Sequence, residues 1–294
     1  MMTSADRLSA APMHRTFRMP DGRMLGYADT GPADAPPIFY FHGFPGSRLE
    51  ASFLPLDGGR LIGIDRPGYG LSDARPRRRL ADFPRDVALL ADHLGLGRFA
   101  VLGVSGGAPY ACACAHDLPE RVAAAALVCG LGPPEAPGMD DGRLRLLAAL
   151  ARRPVARRAL FGLGRGIVMN DGLMRRAARY RARMPRASAD RDLMHGEMGR
   201  MMLASWREAM KRGVAGLSSD ARIYGTPWGW RLSDIRVPAY LWHGEADTIV
   251  PSSIGRYYDA RVPGIESVFT EKDGHFSIVL NHSHDIVARL ARHL

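Results

Sequence analysis

At 294 residues, 46% hydrophobic and 24% charged, the chain has the make-up of a globular protein with room for one large domain or two small ones, and no window approaches the ~18 apolar residues that span a bilayer. Its net charge of +10 invites a nucleic-acid partner, but the excess sits at residues 139–230, where 18 arginines and one lysine face eight acids without a nucleic-acid motif or a run of stacking aromatics. No nucleic-acid partner is expected; the basic face reads as solvated, with attraction of anionic substrates or membrane surfaces as its further use.

Residues 1–14 read as an N-terminal leader, and 1–12 lack the apolar core of a secretory signal, which points to a cytoplasmic protein. Residues 15–19 and 24–29 are predicted strands joined by the turn Pro20-Asp21-Gly22. The apolar run Pro37-Ile38-Phe39-Tyr40-Phe41 predicts a strand buried on both faces. It ends in His42-Gly43-Phe44-Pro45-Gly46-Ser47, the kind of loop that lines the ligand crevice of an open α/β sheet. A strand at 61–64, the loop Asp65-Arg66-Pro67-Gly68-Tyr69-Gly70, a helix at 82–94 stopped by Gly95 and a strand at 99–102 follow. Next come Gly103-Val104-Ser105-Gly106-Gly107, a helix at 108–116 and a strand at 122–129. Cys112, Cys114 and Cys129 fall in apolar elements, as small buried hydrophobes do, and not at framework or metal spacing.

The alternation of strand and helix predicts a mostly parallel sheet covered on both faces. It stops from about 132 to 232, where arginine-rich helical stretches are interrupted at Pro154, at 162–166, at Pro185 and at Gly213. The clearest predicted helix there sets Met194, Met198, Met202, Trp206 and Met210 at successive i+4 steps. Nine of the 14 methionines lie in this insertion; packing between helices is their default role, and an adaptable apolar surface the alternative. Gly162-Leu163-Gly164-Arg165-Gly166 follows no strand and is not read as a phosphate loop. Strand order returns at 239–242, before His243-Gly244-Glu245-Ala246-Asp247. A helix at 253–260, a strand at 267–270 leading to Asp273-Gly274-His275, and a terminal helix at 278–294 complete the chain.

A strand that turns at once into a helix leaves no room beside the serine of Gly-x-Ser-x-Gly for bulky neighbours. The hydroxyl is left at the tip of a strained turn, with the Gly106 N–H aimed where an oxyanion would form. A serine hydroxyl is un-ionised at neutral pH, so Ser105 as nucleophile needs a base, and the base needs an acid to fix its tautomer. Asp247 and His275 follow later strands at the same sheet edge, giving the chain order Ser, Asp, His. Glu245, two residues nearer the strand end, and Glu135, after the 122–129 strand, are alternatives for the acid, and His243 for the base. His282 and His284 read as surface residues of the terminal helix, without matching partners for a metal. The second oxyanion donor is expected to be the Phe44 N–H.

From residue 42 to 275 these segments resemble, in order, the motifs of the α/β-hydrolase fold superfamily, in its cap-bearing serine hydrolase branch of esterase-like enzymes. The resemblance implies an eight-stranded, mostly parallel sheet flanked by helices, with a core of residues 15–132 and 233–294 and a helical cap at 133–232. It also places Trp228, in Pro227-Trp228-Gly229-Trp230, as a candidate pocket wall where cap returns to core, with packing as the other reading. The loop around Phe44 is shared with epoxide hydrolases and haloalkane dehalogenases, but those carry an aspartate at the position of Ser105. Cofactor-free haloperoxidases usually have methionine where Gly106 stands. Proline iminopeptidases prefer tryptophan there and an acidic cap, against the basic one here.

The activity implied is cofactor-independent hydrolysis of carboxylic esters, without a metal, on a small-molecule substrate with an apolar acyl or aryl part. Hydrolysis of carbon–carbon bonds in β-diketone-type ring-cleavage products uses the same three residues and is the alternative, with cap arginines to hold a substrate carboxylate. A haloperoxidase or a non-catalytic ligand-binding module ranks lower, the latter because no member of the Ser, Asp, His set is missing.

Overall fold

A computed structural model describes residues 13–55, 58–182 and 190–294; residues 1–12 of the leader and the interruption at Pro185 lie outside them. The turn Pro20-Asp21-Gly22 joins β1 (Met13–Arg18) to β2 (Met24–Thr30) as an antiparallel pair. The apolar runs that follow are buried along nearly their whole length as β3 (Pro37–Phe41), β4 (Arg60–Ile64), β5 (Phe99–Val104), β6 (Val122–Val128) and β7 (Ala239–Gly244), and β8 (Glu266–Thr270) is the half-exposed edge. The order across the sheet is β1-β2-β4-β3-β5-β6-β7-β8, parallel from β4 to β8.

Connections between parallel strands must cross the sheet, and helices make those crossings. Among the described residues they are α1 (Phe83–His93), α2 (Ala108–Asp117), six helices between β6 and β7, and α9 (Ser252–Asp259); α10 (Ser277–Ala291) follows the last strand. Because side chains alternate along a strand, each central strand feeds two cores. Phe39, Phe41, Val101, Leu127 and Leu241 meet Val87 and Leu90 of α1, Ala111 of α2 and Ile254 of α9 on one face. Ile38, Tyr40, Leu102, Val128 and Trp242 meet Ile278, Ile286 and Leu290 of α10 on the other.

Among the described residues the inserted helices are α3 (Gly142–Ala151), α4 (Pro154–Met169), α5 (Asp171–Ala182), α6 (Arg191–His195), α7 (Glu197–Met210) and α8 (Ala215–Tyr224). Two expectations are corrected here. Residues 162–166 do not interrupt a helix: α4 runs through them from Pro154 at its first position, with open space around Gly162, Gly164 and Gly166. The methionine row is broken at Gly196, whose extended backbone (ψ −150°) separates α6 from α7. Met202 and Met210 are both buried, and Met210 packs between α7, α4 and α8. Other boundaries move by a few residues: β6 stops at Val128 because Cys129 has φ 42°, and β7 continues to Gly244, so that His243 lies inside it.

Candidate active site

Ser105 sits where β5 becomes α2, in a single 3-10 turn. Its φ of 52° is in the left-handed region, which a residue with a side chain occupies only when its surroundings hold it there. Close approach of strand and helix does so. A Cβ on Gly103 would stand 2.6 Å from the Gly107 carbonyl oxygen, and one on Gly107 would run into the Phe41 carbonyl.

Two loops at the same sheet edge bring His275, after β8, and Asp247, after β7, to this turn. His275 Nε2 lies 2.9 Å from Ser105 Oγ, and Nδ1 lies 2.7 Å from Asp247 Oδ2. An ionised carboxylate only accepts, so Nδ1 carries the proton and Nε2 is left to accept from the serine hydroxyl. Asp247 Oδ1 accepts the N–H groups of Ile249 and Val250 at 2.8 and 2.9 Å. Burial alone would raise the Asp247 pKa, but His275 and these two N–H groups overcome it and hold the carboxyl below its ordinary value. Burial also disfavours a charged His275, yet Cys129 and Asp247 beside it hold the imidazole pKa well above its ordinary value. Burial raises the Cys129 thiol itself, so of the two neighbours the carboxylate is the one that carries charge.

Of the other candidates read from the sequence, His243 adjoins Asp247, its Nε2 3.7 Å from Oδ2, and the rest bond different partners or are exposed. Glu245 accepts from Ser252 Oγ at 2.5 Å and pairs with Arg256, away from His275. Glu135 is exposed. His243 Nε2 meets the Val250 carbonyl at 3.0 Å, and burial lowers its pKa. His282 bonds Asp273 at 3.1 Å, and His284 is exposed on α10. Among the described residues one trio of metal-ligating side chains converges, Cys129, Asp247 and His275, and its carboxylate and imidazole are already bonded to each other.

Phe44 and Gly106 are neighbours: a Cβ on Gly106 would lie 3.3 Å from the Phe44 nitrogen. Gly106 is in the first turn of a helical segment, whose opening N–H groups have no partner within it, and the Phe44 N–H meets no acceptor among the described residues. The Phe44 ring meets Tyr224 and Phe161 edge-on, at 5.4 and 5.8 Å, and shares an apolar cluster with Val168, Met169 and Trp206. Trp228 is not among these residues. It is buried in the main core 5.2 Å from Trp230, which stacks on His116 at the far end of α2.

Sequence reasoning missed the buried polar groups behind the site. Asp220 of α8, fully buried, pairs with Arg66 and Arg78 and accepts from the Tyr69 and Tyr110 hydroxyls at 2.8 and 2.5 Å. Burial would raise its pKa, but the two guanidiniums overcome it and hold the carboxyl well below its ordinary value. Arg66 donates to the carbonyls of His42 and Gly43, and the Tyr224 hydroxyl donates to the Gly106 carbonyl at 2.8 Å. Buried Glu50 accepts from the Gly43 N–H and from Ser205 Oγ of α7, both at 2.9 Å. Asp190, just ahead of α6, reaches the His275 loop. Arg66 stands in a quoted motif, but the only sequence signal for Asp220 and Asp190 is that they are rare acids in a basic segment.

Residues 36–281 match the profile of the alpha/beta hydrolase fold family. The chain belongs to that family. Similar hydrolases include a 2-hydroxy-6-oxononadienedioate/2-hydroxy-6-oxononatrienedioate hydrolase of Burkholderia vietnamiensis, 27% identical over 261 residues that cover 85% of this chain and 84% of that protein. A bifunctional esterase/perhydrolase of Acinetobacter calcoaceticus is 28% identical, over 80% of this chain and 82% of that one. An esterase from Exiguobacterium antarcticum shares the hydrolase fold with a TM-score of 0.67 at 18% identity, over 95% and 98% of the two chains. Among the described residues, no helix of this hydrolase is long and apolar enough to cross a membrane.

Proposed function

We propose that this hydrolase cleaves carboxylic esters through an acyl-enzyme on Ser105. The observation that carries the reading is the 2.9 Å separation of His275 Nε2 from a Ser105 hydroxyl held at positive φ. Ser105 Oγ attacks the ester carbonyl carbon as its proton passes to Nε2, and Asp247 supports the imidazolium. The N–H groups of Phe44 and Gly106 hold the oxyanion. His275 returns the proton to the leaving alkoxide, which departs as the alcohol. Water then gives a proton to Nε2 and attacks the acyl carbonyl, and the acid leaves as Ser105 regains its proton. The cluster of Phe44, Phe161, Val168, Met169 and Trp206 supports an apolar acyl or aryl part, and the helices α3 to α8 serve as the cap.

A fluorophosphonate probe tests the reaction class. Wild-type protein is expected to label, and Ser105→Ala to stay unlabelled and to lose on the order of 10⁶ in turnover. A wild type that resists the probe while a control esterase labels would refute the serine mechanism. The similarity to a 2-hydroxy-6-oxononadienedioate hydrolase favours carbon–carbon bond hydrolysis as the second reading. Comparing kcat/KM for a short-chain nitrophenyl ester and a 2-hydroxy-6-oxo-dienedioate separates the two.

A further inference from the structure

The loop that presents His275 is held from outside the sheet. Asp190 is 6% exposed and directs both carboxylate oxygens at the start of α10. Oδ2 accepts from the His275 N–H at 2.7 Å, and Oδ1 accepts from the Ser277 N–H and the Ser277 hydroxyl, both at 2.9 Å. Ser277 Oγ in turn accepts from the Gly274 N–H at 2.7 Å. The carboxylate thus satisfies, directly or through Ser277, the N–H groups of Gly274 and His275 in the loop ahead of α10 and that of Ser277 at its first position, where a helix offers its own N–H groups no backbone partner. Gly274 makes room for this: a Cβ there would stand 2.6 Å from Asp190 Oδ2.

We propose that, with Ser105 as nucleophile and His275 as base, Asp190 is a positioning residue through which the seated inserted helices set the distance from His275 Nε2 to Ser105 Oγ. The imidazole is fixed at two ends, by Asp247 at Nδ1 and by Asp190 at the backbone N–H of the same residue. The second restraint comes from a residue 85 positions away in the chain, so it exists only when the inserted helices are docked on the sheet. Hydrogen bonds to an ionised carboxylate are the strong ones, and three of them converge on this turn. A ring displaced by about 1 Å loses on the order of 10² in rate.

Asp190→Asn keeps the side-chain shape but sets an amide NH2 against a backbone donor. On a short-chain nitrophenyl ester, kcat is expected to fall by roughly 10- to 100-fold with KM little changed. The acid limb of kcat/KM should move to lower pH, because a negative charge near the imidazole has gone. Ser277→Ala keeps Asp190 and removes one of its donors; it should lose less kcat in the same direction, and it decides the matter if Asp190→Asn does not fold. A folded Asp190→Asn with wild-type kcat and acid limb would overturn the assignment, as would a loss confined to KM. So would an Asp190→Asn that does not fold alongside a Ser277→Ala at the wild-type rate. A wild type that fluorophosphonate does not label means instead that the Ser105 mechanism has failed, whereas equal labelling rates for wild type and Asp190→Asn remove Asp190 alone.

Discussion

Asp247 and Glu245 stand two residues apart and serve different neighbours: one accepts from His275 Nδ1, the other from Ser252 and Arg256 on the surface. Asp247→Asn keeps the geometry but lets an amide donate to Nδ1, which puts the imidazole proton on Nε2, facing the serine. Turnover of an ester substrate should fall by about 10⁴. Glu245→Gln removes an exposed pair and should leave kcat at the wild-type value. The reverse ranking of the two variants would exchange their roles. The same contact sets the pH profile, because His275 acts as a base only when neutral. With its pKa raised well above 6.5, activity should be lost as pH falls, with the midpoint of the acid limb above that value. The stability linked to this shift has the opposite sense: it is present in full below 6.5 and lost as pH rises through the folded-state pKa.

At the level of elements, the junction of β5 and α2 has little tolerance. Gly103→Ala would set a methyl group 2.6 Å from the Gly107 carbonyl oxygen and 2.7 Å from the Ala108 Cα. Overpacking against backbone, which cannot rotate away, typically costs about 1–3 kcal/mol. A lowered melting temperature is expected, together with slower fluorophosphonate labelling; unchanged values of both would mean that the turn opens freely. This junction was legible in the sequence because its demands are local. A turn of five residues needs its own glycines, and a strand buried on both faces must be apolar throughout, so Ser105, Asp247, His275 and the central strands could all be placed from short runs. The inserted helices were not legible in the same way. Gly196 breaks a helix while Gly162, Gly164 and Gly166 do not, a difference that no short run of residues carries, and Asp190 and Asp220 find their partners 85 and 154 positions away.

For the molecule as a whole, the inserted helices are tied to the sheet by buried polar bonds as well as by apolar packing. Ser205 reaches Glu50, Asp190 reaches the His275 loop, and Asp220 lies between Arg66 and Arg78. Burying two guanidiniums is unfavourable unless a carboxylate compensates them, so removing the acid costs more than the pairs themselves contribute. Asp220→Asn leaves Arg66 and Arg78 buried with their charge uncompensated, and should lower unfolding stability in urea by about 3–5 kcal/mol. Because the Asp220 pKa is depressed, the wild type holds this contribution above pH 3.8 and loses it only as pH falls through the lower folded-state value. Asp171→Asn, which breaks only an exposed pair with Arg207, is the control and should leave the urea midpoint in place. If Asp220→Asn unfolds at the wild-type midpoint, the tie from Asp220 of α8 to Arg66 and Arg78 has no part in stability.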